Sequence, residues 1–529
     1  MKRELKAIIL VFFISLTFSV FKLYAQSFQV PIHHSVQLQF ERQIEDSLMP
    51  VFTSVKPFQS NWHQKWQQPF QKDISRGRER QINGHFLRYA DSQFYVWANP
   101  ILNIGFGRVS NPRENTTQNT RGVQMGMSIG KQISLGMNFA ENQASFPGFV
   151  DNFIIRNRGV APGQGITRSF EGTGYDFAYT DAFVRWHPGK VFSATLGYGQ
   201  NFLGEGYRSL FLSDNAFNYP YLQINVNFNR FHYTAMINQY ENLFYKLSDR
   251  YQRKWSSIHY LTVKLGKRWH VGVFESVVWQ AEDSVSKRGF DFAYLNPVPF
   301  MRPIEFANGS ADNMLMGLHA KYKAAKNTYL YTQILLDDFN FQATRDSSKQ
   351  HLNNKYAIQL GVKNFSQYRN IDIFSRIEYN YSRPYMYGHR KPAQSYTHYQ
   401  QPLAHPLGAN FHELILQLNL TYKRWYFESH NQLAWVGRQN PAVNFNQGNN
   451  LFGGEDRVPT YGSFTLQGIR TKQQFNQVTF GYVTNPKWNV GLEVSYTYRK
   501  TSADNNPTNL TNWFRFGVVT RLRNSYLDF

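Results

Sequence analysis

Residues 123–139 read VQMGMSIGKQISLGMNF, and their pattern decides the fold. Val123, Met125, Met127 and Ile129 alternate with Gln124, Gly126 and Ser128. Beyond Gly130-Lys131, Ile133, Leu135, Met137 and Phe139 alternate with Gln132, Ser134, Gly136 and Asn138. Strand side chains point alternately to two faces, so each run has one apolar face and one small or polar face. The Gly-X pair between the runs predicts a tight hairpin. Near the other end, Trp488, Val490, Leu492, Val494, Tyr496 and Tyr498 alternate with Asn489, Gly491, Glu493, Ser495, Thr497 and Arg499. That run is long for a soluble strand and suits a tilted membrane crossing of ~9–11 residues.

The connections extend the argument. Short turns are expected near Gly130, His187-Pro188-Gly189, Asn229-Arg230, Gly266-Lys267, Ala325-Lys326, Gln367-Tyr368, Lys423-Arg424 and Asn485-Pro486. Long polar stretches lie between them, at 109–120, 141–173, 200–220, 241–255, 280–312, 339–353, 382–410, 437–471 and 501–511. Strict alternation of short and long connections predicts an all-β, antiparallel transmembrane barrel of about eighteen strands, with short periplasmic turns and long outer loops. The count takes residues 94–107 as one strand despite Asn99-Pro100. Phe514, Phe516, Val518 and Leu522 alternate with Arg515, Gly517, Arg521 and Arg523 up to the last residue, Phe529. An alternating strand with a terminal aromatic resembles the C-terminal signal of bacterial outer-membrane proteins.

Composition agrees. Mean hydropathy is −0.50, yet aromatics make up 17% of the chain, with 45 Phe, 33 Tyr and 11 Trp. A polar average with many aromatics fits a barrel, in which every second strand residue faces lipid and aromatic girdles mark the interfaces. There is no cysteine, which excludes disulfides, thiol catalysis and a cysteine-borne lipid anchor. Lys2, Arg3 and Lys6 precede an uncharged apolar run over 7–20, and Leu23-Tyr24-Ala25 follows. This is the pattern of a secretory signal peptide over 1–25. Residues 26–91 do not alternate; Val36, Phe40, Ile44 and Leu48 recur every four and predict a short helix in an N-terminal periplasmic or plug segment. The barrel is expected over 92–529, in the outer membrane of a Gram-negative bacterium.

The net charge is +22. Outside the cytoplasm nucleic acid is not the expected partner; anionic lipid and lipopolysaccharide at the rim, or an anionic polymer at the lumen and loops, are. No G-x-S-x-G and no phosphate loop occur. His398, His405 and His412 lie seven residues apart around Pro402 and Pro406, which is not a metal-ligand spacing. Neither a metal, a cofactor nor an enzymatic activity is expected. Glu275, Glu305, Asp312, Asp338 and Glu378, near Arg302 and Arg383, read as lumen charges that hold loops in place. The functional alternative is polysaccharide recognition, in which Asp, Asn and Arg bond hydroxyls or a uronate and aromatic faces cover the sugar ring. Residues 203–221, LGEGYRSLFLSDNAFNYPY, form a loop with Gly204 and Gly206 in which Arg208 and Asp214 can pair. A folded-in loop that narrows the pore is expected there.

Six segments carry a resemblance: GYGQNFLGEGYRSLFLSDNAFNYPYL, GFDFAYLNPVPFMRPIEFANGSADNMLMGL, EYNYSRPYMYGH, YQQPLAHPLGANFHE, NTRGVQMGMSIGKQISLGMNFAENQASFPGFV and RNSYLDF. Together they resemble the Bacteroidetes branch of the Wzi-like capsule-assembly outer-membrane proteins, which includes gliding-motility proteins of the RemB type. The resemblance implies an occluded eighteen-stranded barrel. It implies lectin-like retention of capsular polysaccharide, or a link to surface motility or export machinery, and no enzymatic activity. The ligand-binding candidates are Arg208, Asp214, Asn218, Tyr219, Arg302, Glu305, Arg383 and Tyr385. The alternatives are an open channel for small solutes and a structural or adhesin component of the gliding machinery.

Overall fold

The computed structural model describes residues 29–45, 52–58 and 83–529, except 111–113, 171, 173, 248–249, 283–287, 298–300, 302, 304–311, 338–349 and 505. The expected signal peptide lies outside the described residues. Eighteen antiparallel strands close into one barrel. The first nine are β1 Phe94–Val109, β2 Glu114–Ile129, β3 Ile133–Ala144, β4 Gly174–Trp186, β5 Phe192–Gly199, β6 Tyr219–Phe228, β7 Phe231–Leu247, β8 Arg250–Leu265 and β9 Trp269–Gln280. The rest are β10 Asn313–Ala325, β11 Thr328–Asp337, β12 Lys355–Tyr368, β13 Ile371–Ser382, β14 Phe411–Tyr422, β15 Trp425–Arg438, β16 Ile469–Asn485, β17 Val490–Ala503 and β18 Asn509–Thr520. Two helices are described, α1 His34–Glu45 and α2 Gly148–Arg156.

The expected turns join the strands, with one displaced: the bend expected at Gln367-Tyr368 falls on Arg369-Asn370, where Arg369 takes φ 54°. Two expected loops are largely strand. Val109 pairs with Glu114, and Leu247 with Arg250. The ladder continues into water above the membrane, so polar residues such as Asn115 to Asn119 look like loop in sequence while their backbones stay paired. Barrel closure joins β18 to β1 from Trp513↔Val109 to Val518↔Ile104. Lower on β1, a short strand Leu87–Ala90 takes the same edge, from Leu87↔Ala98 to Ala90↔Tyr95. Pro100 falls between these two partners, where the edge does not demand an N–H.

The outer wall is apolar. Leu196 is 65% exposed, Leu360 53% and Phe480 50%. At the short-turn end Trp186, Phe228, Phe231, Trp269, Tyr368, Tyr422 and Trp425 all stand exposed and form an aromatic girdle. A continuous belt of this kind is stable against lipid and not against water, and the chain is an outer-membrane barrel.

The inner wall is polar, with Lys321, Lys363, Gln333, Gln359, Glu378 and Glu413 buried. They are buried because the chain fills its own lumen. The C-terminal expectation is overturned at this point. β18 ends at Thr520, whose hydroxyl accepts from Leu102 N–H (3.0 Å) and whose N–H donates to Asn103 (2.7 Å), so side-chain bonds replace the ladder. The chain then turns inward, and Leu522, Asn524, Tyr526 and Asp528 are buried. Phe529 is not on a strand; its ring lies 4.2 Å from that of Phe153 on α2.

Candidate functional site in the barrel lumen

The loop between β5 and β6 holds the centre of the lumen. Its apolar run Leu210-Phe211-Leu212 is fully buried and packs with Tyr219, Tyr260, Phe274, Met386, Tyr387, Tyr396 and Leu403. Phe211 stacks on Phe274 at 4.5 Å with an interplanar angle of 6°. This is a small hydrophobic core inside a membrane barrel, made by two inward loops and the wall. Within a loop that otherwise looks polar, the three consecutive apolar residues were its sequence signal.

The polar part of the loop is fastened in three places. Glu378 on β13 accepts from the backbone N–H groups of Tyr207 (2.7 Å) and Arg208 (3.0 Å) and from the Tyr331 hydroxyl (2.7 Å). Gly206 makes this approach possible: a Cβ there would meet the Glu378 carboxylate, Arg208 O at 2.7 Å and Gln359 Nε2 at 2.9 Å. Arg208 pairs with Glu413 (3.1 Å) and Asp528 (2.8 Å). Glu413 also bonds His405 Nε2 (2.7 Å) and accepts from Gln432 (2.7 Å) and Asn380 (2.9 Å). Burial opposes the Arg208 charge, but Asp528 and Glu413 more than offset it and hold the guanidinium firmly protonated.

Nearer the short-turn end, Glu205 accepts from Lys363 (2.5 Å) and Thr53 (2.7 Å) and lies 3.3 Å from Lys321. Helix α1 adds Glu41, bonded to Lys363, and Glu45, 2.5 Å from Lys321. Lys56 lies 3.7 Å from Glu41. The backbone before Lys56 pairs with the loop, Val55 opposite Leu203. The three carboxylates come within 4.8 Å of one another. The lysine ammonium groups already supply positive charge there, so the cluster reads as a latch rather than a cation site. Burial raises the Glu205 carboxyl, yet Lys321 and Lys363 dominate and hold it well below the usual carboxylate range. None of Glu41, Glu45, Lys321 and Lys363 stood out in sequence. The β-strand lysines could have been found by phase, since Lys355, Gln359 and Lys363 share one face of β12.

The expected Arg208–Asp214 pair does not form. Both residues instead clasp the C-terminal tail: Asp214 accepts from Asn524 (2.6 Å) and from the Tyr526 hydroxyl (2.7 Å). Burial pushes the Asp214 carboxyl up, against those two bonds. Asn218 donates to Thr180 O (2.6 Å) and accepts from Arg523 (2.8 Å). Tyr219 is wholly buried against Tyr240. Arg383 donates to Ser463 O (2.8 Å), and the Tyr385 hydroxyl donates to Asn446 O (2.8 Å), which ties two outer loops together. Arg302, Glu305 and Asp338 lie outside the described residues. Arg208, Asp214, Asn218 and Tyr219 are at most 1% exposed. In this conformation they bind the protein's own segments. The three histidines go to separate partners: His398 to Asn218 O, His405 to Glu413 and His412 to the Tyr379 hydroxyl.

No protein-family model matches the chain, and no curated protein matches it in sequence. Among solved structures it is similar to Wzi of Escherichia coli, an outer-membrane protein involved in group 1 capsule assembly and described as a carbohydrate-binding β-barrel. That alignment has 12% identity, covers 80% of this chain and 84% of the other, and has a TM-score of 0.49. It is also similar to Acinetobacter baumannii OccAB2, with 8% identity, coverage of 80% and 96%, and a TM-score of 0.42. For Pseudomonas aeruginosa OprD the values are 10%, 81% and 94%, and 0.41. At this level the likeness is one of architecture.

Proposed function

We propose that this chain is an occluded, non-enzymatic outer-membrane barrel that binds or organises surface polysaccharide on its outer loops. The observation that carries the reading is the filled lumen: α1, the β5–β6 loop and the C-terminal tail meet in one buried network around Glu205, Arg208 and Asp528. A barrel held shut by its own chain is built to present loops rather than to pass solutes. The tied outer loops carry Tyr461 and Phe464 exposed beside Arg383, the aromatic and guanidinium groups that suit a sugar face and a uronate. Arg302 and Glu305 belong to the same proposal. Arg208, Asp214, Asn218 and Tyr219 act in it through the shape of the plug. The test is binding of purified protein to surface polysaccharide from its own organism. Saturable binding that Arg383→Ala weakens, in a folded barrel, supports the reading, and absence of binding to every fraction refutes it. A deletion strain with intact capsule and impaired spreading would instead favour a gliding role.

A small-solute channel is the second reading. It is favoured by two cavities of about 300 and 260 Å³ that flank the plug, one beside the tail and one beside α1. Steady conductance steps in a planar bilayer would support it over the first.

A further inference from the structure

The larger of these cavities has a chemistry of its own. It lies between the C-terminal tail and the inner wall, measures about 300 Å³, and is roofed by Phe146, Ala161 and Pro162 of the loop between β3 and β4. Its charged lining is Arg515, Arg521, Arg523 and Glu493. The single carboxylate is already engaged, since Glu493 lies 3.8 Å from Arg521 and accepts from the Tyr426 hydroxyl at 2.7 Å. Arg521 is further matched by Glu428 at 3.3 Å.

Arg515 and Arg523 are different. Among the described residues neither meets a carboxylate within ion-pair distance. Arg515 lies over the Trp513 ring at 4.0 Å, and its Nε is buried without a hydrogen-bond partner. Arg523 lies over Tyr179 at 4.4 Å, bonds Asn218 and Gly163 O, and leaves Nη1 buried and unpartnered. A buried guanidinium without a full set of acceptors is costly, and Arg515 and Arg523 bring two such groups to the lining of one cavity. Stacking on the rings fixes each fork in orientation, which suits a planar carboxylate better than a point charge. The remaining wall supplies amides from Gln118, Asn142 and Gln477, hydroxyls from Thr479 and Ser495, and aromatic surface from Phe177. Amide, hydroxyl and ring around a fixed positive pair match a polar organic acid.

We propose that this cavity is a binding site for a small hydroxylated carboxylate, of the size of a single acidic sugar, held by Arg515 and Arg523. The site is separate from Arg383 and the loops tied to it, and does not depend on polymer binding there.

The test is calorimetric titration of the full-length protein in detergent with galacturonate, with galactose of the same ring size, and with sodium sulfate. Galacturonate is expected to bind saturably and at least roughly tenfold more tightly than either comparison probe, the scale of one charge-assisted contact. Arg515→Gln and Arg523→Gln should each weaken it by at least roughly tenfold on the same ground, while Arg230→Gln, in the exposed short turn between β6 and β7, leaves it unchanged. Gel mobility before and after heating establishes that each variant keeps its barrel. Equal binding of galactose, equal binding of sulfate, or undiminished binding in both cavity variants overturns the proposal, as does no binding of galacturonate by the folded wild type.

Discussion

Arg208, in the loop between β5 and β6, and Asp528, in the C-terminal tail, pair at 2.8 Å in the middle of the barrel, and neither has any significant exposure. They are 320 residues apart in sequence, so the pair joins an inward loop to a tail that enters from the opposite side of the chain. Removing one partner of a buried pair leaves the other charge uncompensated, at a cost of about 3–5 kcal/mol. Arg208→Ala strands both Asp528 and Glu413. It should release the tail without opening the strand ladder, whose bonds it does not touch. Urea titration is expected to show an early transition in protease sensitivity of the tail and an unchanged later transition of the barrel. A single unshifted transition would mean that the pair contributes little.

The latch of Glu41, Glu205, Lys321 and Lys363 makes the attachment of α1 sensitive to acid. Glu205 and Glu41 are both held below their ordinary value of 4.5, against burial, by the lysines. Groups with a depressed folded pKa stabilise the fold fully above the unfolded value, and that stability is lost as pH falls through the folded values. Attachment of α1 should therefore be constant from neutral pH to about 4.5 and weaken progressively below it. Acid-stable protease cleavage near α1, followed against pH, measures this. Glu205→Gln should loosen α1 already at neutral pH, because it leaves Lys321 and Lys363 short of a counter-charge. A profile that loosens toward alkaline pH instead would show that the lysines titrate first.

The barrel was legible in the sequence because lipid on one side and polar plug on the other impose a strict period of two, as in Val123 to Ile129 and Val490 to Tyr498. The turns were legible for the same reason: the pattern breaks where the wall ends. Two expected loops are strand because pairing continues above the membrane, where residues such as Asn115 and Asn119 face water and the alternation no longer reports the ladder. The lumen was hidden more deeply. Glu378 stood out as an inward charge, yet its partners are the backbone N–H groups of Tyr207 and Arg208, which no residue pattern marks. Asp528 was hidden by its neighbour, since Phe529 made the end of the chain look like lipid-facing strand. Composition cannot tell an aromatic against lipid from one packed on Phe153.

Gly206 allows a test that leaves every charge in place. A Cβ at this position would run into Glu378 and approach Arg208 O to 2.7 Å, both parts of the clamp that seats the loop. Overpacking of a tight site costs about 1–3 kcal/mol. Gly206→Ala should displace the loop and expose buried residues such as Tyr207. Gly189 is the control, since a Cβ there meets nothing within 4 Å. Hydrogen exchange over 203–214 is expected to rise in Gly206→Ala and not in Gly189→Ala. Unchanged exchange in both would show that the Glu378 clamp yields without loss of the loop.

Truncation after Thr520 asks what the tail does for the barrel as a whole. β18 would retain its pairing with β17 and β1, and the side-chain bonds of Thr520 to Leu102 and Asn103 would remain. The exposed apolar wall is untouched, so insertion and heat-shifted gel mobility should persist. Inside, Arg208 loses Asp528, Asp214 loses Asn524 and Tyr526, and Asn218 loses Arg523. The space vacated adjoins a cavity of about 300 Å³ lined in part by β16 to β18, and loss of the tail is expected to open a route for water there. The full chain is expected to be electrically silent in a planar bilayer and the truncated chain to conduct in steady steps. Silence of both would assign the seal to α1 and the β5–β6 loop alone. Conduction by the full chain would move the balance from a presenting barrel to a channel.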